Sequence, residues 1–259
     1  MNQIPKIIHY CWFGNNEYNN IQIKSINTWK KYLPEYKFIL WNESNSDMNH
    51  PFVKFAYERE KYAFVADYIR LKAIYEYGGI YMDTDMFLLK NLDSLLQHVF
   101  FIGAENGHLI SAGIFGGKKK SEFILKCLKY YENTNLEEWQ MKLAIPRVLT
   151  RAFGSYTGIS TPNFTDLITV KDMVVYPSEY FYPLPFDVNK PFQKKFLNYA
   201  TEKTIAIHLW DGSWIEYDVF QLIRRRKYIK ALKKINFNKK PDLKFITKIF
   251  KTILESIVN

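Results

Sequence analysis

The chain has 259 residues, 47% of them hydrophobic, which is enough for one large α/β domain or two small ones with a substantial core. Cys11 and Cys127 are too few for a disulfide framework, and the sequence shows neither the roughly 18–20 apolar residues of a membrane span nor a secretory leader, so we expect a cytoplasmic protein. The net charge of +10 resides in residues 224–259, with 12 Lys/Arg against 2 Asp/Glu, whereas residues 1–223 carry 24 of each.

Apolar periodicity predicts alternating strands and helices along the chain. A first strand at 5–12 is followed by a helix at 21–33 and a strand at 36–41. We then predict helices at 52–60, 62–77, 121–132 and 138–152, a strand region at 80–89, and strands near 99–103, 109–115, 172–176 and 204–210. An Asn/Lys/Pro break at 236–242 precedes a final helix. This order favours an α/β sheet with helices on both faces.

The predicted helix at 62–77 carries a charged pair on its packed side. At about 100° per residue, Asp67 and Arg70 lie among alanines and isoleucine, nearly opposite Lys72 and Glu76. Buried charges are costly unless they are paired or bound to something polar. The pair therefore belongs either to a functional site or to an internal salt bridge that holds the helix in place.

Two carboxylates follow this helix closely. Gly78 and Gly79 should end the helix, and a short strand then leads into Asp83 and Asp85. In an extended chain these two side chains point the same way, roughly 6–7 Å apart along the backbone, so both can bind one hard cation. A D-x-D pattern alone is weak evidence, and its context has to supply the specificity.

Two further segments are candidates for ligand binding. Trp12 leaves the first strand at its carboxyl end, where open α/β sheets bind ligands, and it either stacks on a nucleotide base or caps the strand in the core. His208 begins a Gly-containing turn that also offers a hydroxyl and an indole, although a lone histidine is more often structural than a ligand.

Four segments carry a resemblance to a known family: IPKIIHYCWFG (4–14), SINTWKKYLPEYKFILWNE (25–43), ADYIRLKAIYEYGGIYMDTDM (66–86) and HLWDGSW (208–214). With them the chain resembles the DXD-containing glycosyltransferases of family 32, which include bacterial capsule and O-antigen transferases and fungal mannosyltransferases. It is more distantly similar to the catalytic domain of the large clostridial glucosylating toxins. The resemblance implies a GT-A fold and a retaining, divalent-metal-dependent transfer from a nucleotide sugar.

The resemblance also implies roles for residues that would hold the donor. Trp12 would stack on the base, and Tyr81 would contact the nucleotide. Asp67 and Arg70 would hold hydroxyls of the donor sugar. Relatives are expected to have an asparagine near residues 110–113, and here Ser111 would take its place as a smaller polar group. We expect a uridine diphosphate sugar, with guanosine diphosphate mannose as the alternative donor.

A second set of implied roles concerns the metal and the leaving group. Asp83 would bind the ribose and the water shell of Mn²⁺ or Mg²⁺, and Asp85 would bind the metal directly. His208 is a candidate third ligand. Ser213 or Trp214 would lie near the leaving-group oxygen as the turn closes over the pyrophosphate. The implied acceptor is an oligosaccharide or lipid-linked saccharide of capsule or O-antigen biosynthesis.

The sequence predicts a catalytic domain at 1–218 and a basic amphipathic segment at 219–259. In the last helix the apolar residues fall on one side of the wheel, and lysines fall opposite. The apolar set is Phe245, Ile246, Ile249, Phe250, Ile253, Leu254 and Ile257. This pattern is typical of a helix on an anionic membrane surface, here the inner face of the cell membrane. The alternative is that the apolar faces pack on the body or on a second subunit. Nucleic-acid binding is not expected.

Two other functions remain compatible with the residues. A phosphohydrolase of the haloacid dehalogenase type also places D-x-D after a buried strand, but it expects Thr or Val soon after the second Asp, where this chain has Met86 and Phe87. A non-enzymatic, basic membrane- or nucleic-acid-binding protein would use Asp83 and Asp85 only structurally. It would show no metal-dependent affinity for sugar nucleotides.

Overall fold

The computed structural model describes residues 3–14, 16–132, 144–186, 195–212, 218–235 and 243–258. The chain divides into a first unit, Met1–Leu184 with Leu197–Leu209, and a second unit, Pro185–Phe196 with Trp210–Asn259. The functional boundary expected after residue 218 stays a prediction. Among the described helices, none combines the length and the apolar character required to cross a bilayer.

Nine strands occur in the described residues: β1 (Ile7–Cys11), β2 (Lys37–Trp41), β3 (Gly79–Met82), β4 (Met86–Leu88), β5 (Phe100–Asn106), β6 (Leu109–Gly117), β7 (Ile168–Val170), β8 (Met173–Tyr176) and β9 (Ala206–His208). Seven form a mixed sheet in the order β2-β1-β3-β6-β5-β8-β7, and β4 pairs with β9 in a separate antiparallel ladder. β1 runs parallel to both β2 and β3, so these three strands end at one edge of the sheet.

In its described residues the first unit has six α-helices: α1 (Asn20–Tyr32), α2 (Pro51–Tyr57), α3 (Tyr62–Tyr77), α4 (Glu122–Glu132), α5 (Ile145–Thr157) and α6 (Ser178–Phe181). Most of them match the predicted helices within a few residues. The predicted helix at 138–152 instead begins at Ile145 and continues to Thr157, and residues 133–143 lie outside the described part of the chain. Strand β7 and the short helix α6 were not predicted.

Helices cover both faces of the large sheet, as the sequence predicts. On one face the core cluster contains apolar residues of α2 to α5, and Phe100 of β5 packs on Phe123 of α4 with ring centroids 5.1 Å apart. On the opposite face Phe101 packs on Phe181 of α6 at 6.3 Å. Alternating side chains of one strand therefore enter two different apolar layers, which explains the continuous apolar run at 99–104.

The link between α3 and β3 confirms the predicted role of the paired glycines. Gly78 and Gly79 have φ values of 68° and 110°, which L side chains rarely adopt. A Cβ atom at Gly79 would lie 2.7 Å from the carbonyl oxygen of Ile7 on the neighbouring strand. The glycines thus let the chain turn sharply from the helix into the middle of the sheet.

The second unit contains the helices α7 (Val219–Arg224), α8 (Tyr228–Lys234) and α9 (Leu243–Val258). Ile249 and Ile253 of α9 pack on a small core formed by Leu222, Ile223 and Ala231. The apolar side that the sequence predicts for α9 is covered only in part, because a stripe of apolar residues next to Ile249 and Ile253 is exposed. This outer stripe consists of Leu243, Ile246, Phe250, Leu254 and Ile257. The predicted break at 236–242 lies outside the described residues.

Candidate functional site

The two carboxylates of the D-x-D pattern meet in a turn. β3 ends at Met82, and the amide of Asp83 donates to the carbonyl of Gly113 at 2.8 Å. The carbonyl of Asp83 then accepts from the amide of Met86 at 2.9 Å, where β4 begins. The prediction of an extended strand through these residues is therefore wrong. The side chains converge because the chain reverses, and strand alternation plays no part.

Strand pairing brings His208 to this turn. β9 runs antiparallel to β4 with Met86 opposite His208, and the amide of Leu209 donates to the carbonyl of Asp85 at 3.0 Å. The Nε2 atom of His208 lies 3.0 Å from Oδ1 of Asp85 and 4.0 Å from Oδ2 of Asp83. One ligand atom from each of the three residues falls within 4.8 Å of the other two.

Two carboxylates and an imidazole form a donor set that fits a divalent cation such as Mn²⁺. Asp85 and His208 are each 8% exposed, so little solvent competes for their ligand atoms. Burial would lower the pKa of His208, but the charges of Asp85 and Asp83 outweigh it and raise that pKa above its ordinary value. A bound cation would take the place of this proton, because a ligating imidazole must be neutral.

The Asp67–Arg70 pair of α3 connects directly to this cluster. Nη2 of Arg70 lies 3.2 Å from Oδ1 of Asp67, and Nη1 lies 3.2 Å from Oδ1 of Asp83. Arg70 also donates to the carbonyls of Ala66 and Ala112. The prediction that the pair lies on the packed side of the helix is confirmed, since Asp67 and Arg70 are buried. The pair is both an internal salt bridge and a direct neighbour of the D-x-D turn.

One guanidinium compensates two carboxylates here, that of the buried Asp67 and that of the part-buried Asp83. Burial raises the pKa of Asp67 to about 7, although Arg70 opposes this rise, and the charge of Asp83 adds to it. Burial also raises the pKa of Asp83, again against the effect of Arg70. Together, Asp67, Arg70 and Asp83 carry one excess negative charge when both carboxyls are ionised. A cation or a hydroxyl-bearing ligand would stabilise that charge.

Tyr81 orients the carboxylate of Asp83 through a hydrogen bond. Its hydroxyl donates to Oδ1 of Asp83 at 2.9 Å, and its ring lies under the Arg70 guanidinium at 4.5 Å from the centroid. The side chain is 1% exposed, so its predicted contact with the nucleotide would have to involve the hydroxyl edge. That contact stays a prediction.

The remaining predicted residues make contacts of their own outside the cluster of Asp83, Asp85 and His208. Trp12 follows β1 at the same sheet edge as Asp83, packs on Tyr18 with ring centroids 4.7 Å apart, and donates from Nε1 to the carbonyl of Asn16. Ser111 is buried on β6 and hydrogen-bonds to Tyr182. Ser213 and Trp214 lie outside the described residues, so their roles stay predictions.

The structure adds two residues that the sequence reasoning did not identify. Tyr182 accepts from the amide of Ile114 at 3.0 Å, and its ring stands perpendicular to that of His208 with centroids 5.7 Å apart. Glu105 of β5 is half-buried close enough for the charge of His208 to favour its ionised form. Nothing in the local pattern distinguishes either residue from a packing tyrosine or a surface glutamate.

Comparison with known proteins gives matches in two parts of the chain. Residues 20–101 match the profile described as a glycosyltransferase sugar-binding region containing a DXD motif, and residues 116–224 match an alpha 1,4-glycosyltransferase conserved region. The chain is 26% identical over 151 residues to the lactosylceramide 4-alpha-galactosyltransferase of Mus musculus, covering 57% of this chain and 40% of the mouse protein.

Two further similarities agree with these matches. The chain is 29% identical over 134 residues to inositol phosphoceramide mannosyltransferase 3 of Schizosaccharomyces pombe, covering 49% of this chain and 36% of the yeast protein. The chain thus spans about two fifths of the length of these two relatives. In structure it resembles PaToxG Glycosyltransferase, with a TM-score of 0.51, 22% identity, and coverage of 61% of this chain and 70% of the other. This last likeness concerns the fold.

Proposed function

Because the chain belongs to the glycosyltransferases with a DXD-containing sugar-binding region and has a GT-A fold, we propose that it transfers a hexose, with retention of configuration, from a uridine diphosphate sugar to a saccharide acceptor. The observation that carries this proposal is the cluster of Asp83, Asp85 and His208 beside the buried Asp67–Arg70 pair. The family matches favour this function over a phosphohydrolase or a non-enzymatic basic protein.

The charges of the site support a nucleoside diphosphate donor. A divalent cation held by Asp83, Asp85 and His208 would stabilise the negative charge that develops on the departing diphosphate. Arg70 is anchored by two carbonyls and two carboxylates, so it orients Asp67 and Asp83 with little freedom of movement. Asp67 would accept hydrogen bonds from hydroxyls of the donor sugar, which would compensate its burial.

The relatives suggest the class of acceptor and donor. Their names specify lactosylceramide and inositol phosphoceramide, which are glycolipids or their precursors, so we propose a lipid-linked saccharide as acceptor. One relative is a galactosyltransferase and the other a mannosyltransferase, which keeps guanosine diphosphate mannose as the alternative donor. The cellular role that we propose is the assembly of a surface polysaccharide such as a capsule or O-antigen.

Thermal-shift measurements with a panel of nucleotide sugars, with and without Mn²⁺, test the donor proposal. A donor present at 100 times its dissociation constant adds about 2.7 kcal/mol to the free energy of unfolding. We expect a uridine diphosphate hexose to stabilise the protein only with Mn²⁺. The control variant Asp166→Ala, a change at an exposed aspartate, should show the same stabilisation as the wild type. A stronger stabilisation by guanosine diphosphate than by uridine diphosphate would reject the proposed donor. NMR of the product's anomeric proton tests retention.

We further propose that the second unit attaches the protein peripherally to the inner face of the cell membrane. The outer stripe of α9 presents Phe250, Leu254 and Ile257 with 63–64% of each residue exposed. Exposed lysines of α9 accompany the stripe: Lys244, Lys248 and Lys251. A row of large apolar residues bordered by basic ones is typical of a helix bound to an anionic bilayer.

Flotation with vesicles tests this attachment. The full chain should float with vesicles that contain phosphatidylserine, and less so with pure phosphatidylcholine or at high salt. The double variant Phe250→Ser/Leu254→Ser should lose flotation, whereas Leu167→Ser, a change at an exposed leucine of the first unit, should keep it. Equal flotation of the stripe variant and the control would refute the proposal.

A further inference from the structure

Glu105 stands at an irregular point of the central sheet. In the pairing of β5 with β6, Ala104 lies opposite Ile110 and Asn106 lies opposite Leu109, so the register shifts at Glu105. Irregularities of this kind often redirect a side chain beside a functional site. The segment that carries Glu105 is therefore not simply a continuation of the ladder.

The neighbours of Glu105 indicate which face of the sheet it occupies. Ala104 belongs to the core cluster that the helices α2 to α5 cover. Gly103 lies on the other face, where a Cβ atom would be 2.6 Å from the ring of Tyr182. Alternation from Gly103 favours the Tyr182 face for Glu105, and because a register shift can rotate a side chain, the charges around it decide the placement. The charge of Glu105 raises the pKa of Tyr182, and the charge of His208 acts on Glu105 itself. Both observations agree with this placement.

The carboxylate of Glu105 is only partly solvated. Its residue is intermediate in exposure, and burial raises its pKa above the ordinary value. Within the ranges that the structure describes, no hydrogen bond or ion pair reaches this carboxylate. Partial burial of a carboxylate without a hydrogen bond costs free energy, which a hydroxyl-bearing ligand would recover. The remaining exposure leaves a path for such a ligand from solvent.

We propose that Glu105 binds the acceptor: its carboxylate accepts hydrogen bonds from hydroxyls of the saccharide that enters beside the Asp83, Asp85 and His208 cluster. This inference rests on the proposed function. The acceptor is favoured over the donor because two of the three groups assigned to the donor sugar, Asp67 and Arg70, belong to the helix α3, which packs on the opposite face of the sheet. The third, Ser111, hydrogen-bonds to Tyr182 on the Glu105 face, where the acceptor would meet the donor.

The test compares transfer with donor hydrolysis in Glu105→Gln, which keeps the size of the side chain and removes its charge. The probes are the methyl glycosides of galactose, glucose, mannose and lactose, and the measured quantity is release of uridine diphosphate with and without each glycoside. We expect the KM for the best glycoside to rise about tenfold or more, because hydrogen bonds to a charged group are strong. Hydrolysis by water alone and Mn²⁺-dependent donor binding should stay within about twofold of wild type.

Glu122→Gln serves as the matched control, since Glu122 is an exposed glutamate at the start of α4. An unchanged KM for the glycoside in Glu105→Gln would overturn the inference. So would a parallel loss of donor binding and hydrolysis, which would indicate a donor-side or structural role. If the wild type bound the donor with Mn²⁺ but no glycoside accelerated release, the saccharide acceptor and this inference would both be rejected. If the wild type showed no metal-dependent binding of the donor, the proposed function itself would be rejected.

Discussion

Replacing Arg70 by Met is the sharpest perturbation of the site. The change keeps an apolar stem of similar length and removes a guanidinium that lies 3.2 Å from carboxylate oxygens of both Asp67 and Asp83. Because Asp67 and Arg70 are buried, solvent cannot take the place of the lost charge. Breaking a buried ion pair by removing one partner costs about 3–5 kcal/mol, and we expect Arg70→Met to lower the free energy of unfolding by this amount.

A double-mutant cycle separates the ion pair from simple loss of packing. In an Asp67→Asn background only Asp83 is left without its partner, so the cost of Arg70→Met should fall by about 1–3 kcal/mol. The control is Lys72→Met on the outer side of the same helix, where Lys72 lies 3.7 Å from Glu76 and is part-exposed. Such a surface pair contributes about 0–1 kcal/mol.

Urea unfolding monitored by tryptophan fluorescence measures these differences, and the chain has 6 tryptophans to report on it. Equal costs for Arg70→Met and Lys72→Met would refute the argument that burial makes the pair strong. A cost of Arg70→Met that is the same with Asp67 and with Asn at that position would show that the two charges are not coupled.

Three further predictions follow from the same geometry. Asp85→Ala should abolish Mn²⁺-dependent binding of the nucleotide sugar in calorimetric titrations, and Asp83→Ala should weaken it; near-normal turnover of Asp85→Ala in Mn²⁺ would contradict the metal assignment. The pKa of Asp67 is about 7 in the folded protein against an ordinary 3.8, so the unfolded chain loses this proton at lower pH than the folded protein does. As the pH rises from 4 to 8, the free energy of unfolding of the wild type should therefore fall by about 4 kcal/mol relative to that of Asp67→Asn. Urea titrations in which the difference between the two proteins is the same across this range would contradict the prediction. Gly79→Ala should destabilise the protein by about 1–3 kcal/mol through its φ of 110°, more if the contact with Ile7 cannot relax, and an unchanged thermal midpoint would show that the link is not strained.

Local patterns in the sequence determined a large part of the first unit. The periodicity of residues 62–77 correctly placed Asp67 and Arg70 inside and Lys72 and Glu76 outside, because helical geometry relates residues three and four positions apart. The glycine pair after this helix correctly marked its end, since few other residues adopt the required φ values. The D-x-D pattern and the neighbouring charges also identified the region of the site.

The tertiary structure alone decided how the site is assembled. Asp85 and His208 are 123 positions apart in the chain, and their contact depends on the pairing of β4 with β9, which no local pattern encodes. The turn at Asp83 depends on a hydrogen bond to Gly113 of another strand.

The same holds for Glu105 and for α9. The register shift between Ala104 and Asn106 in the pairing of β5 with β6 contributes to the environment of Glu105. Packing against Leu222 and Ile223 decides which apolar residues of α9 are covered. Periodicity specifies which side chains share a surface of one element, whereas the partner of that surface is chosen by the packing of the whole chain.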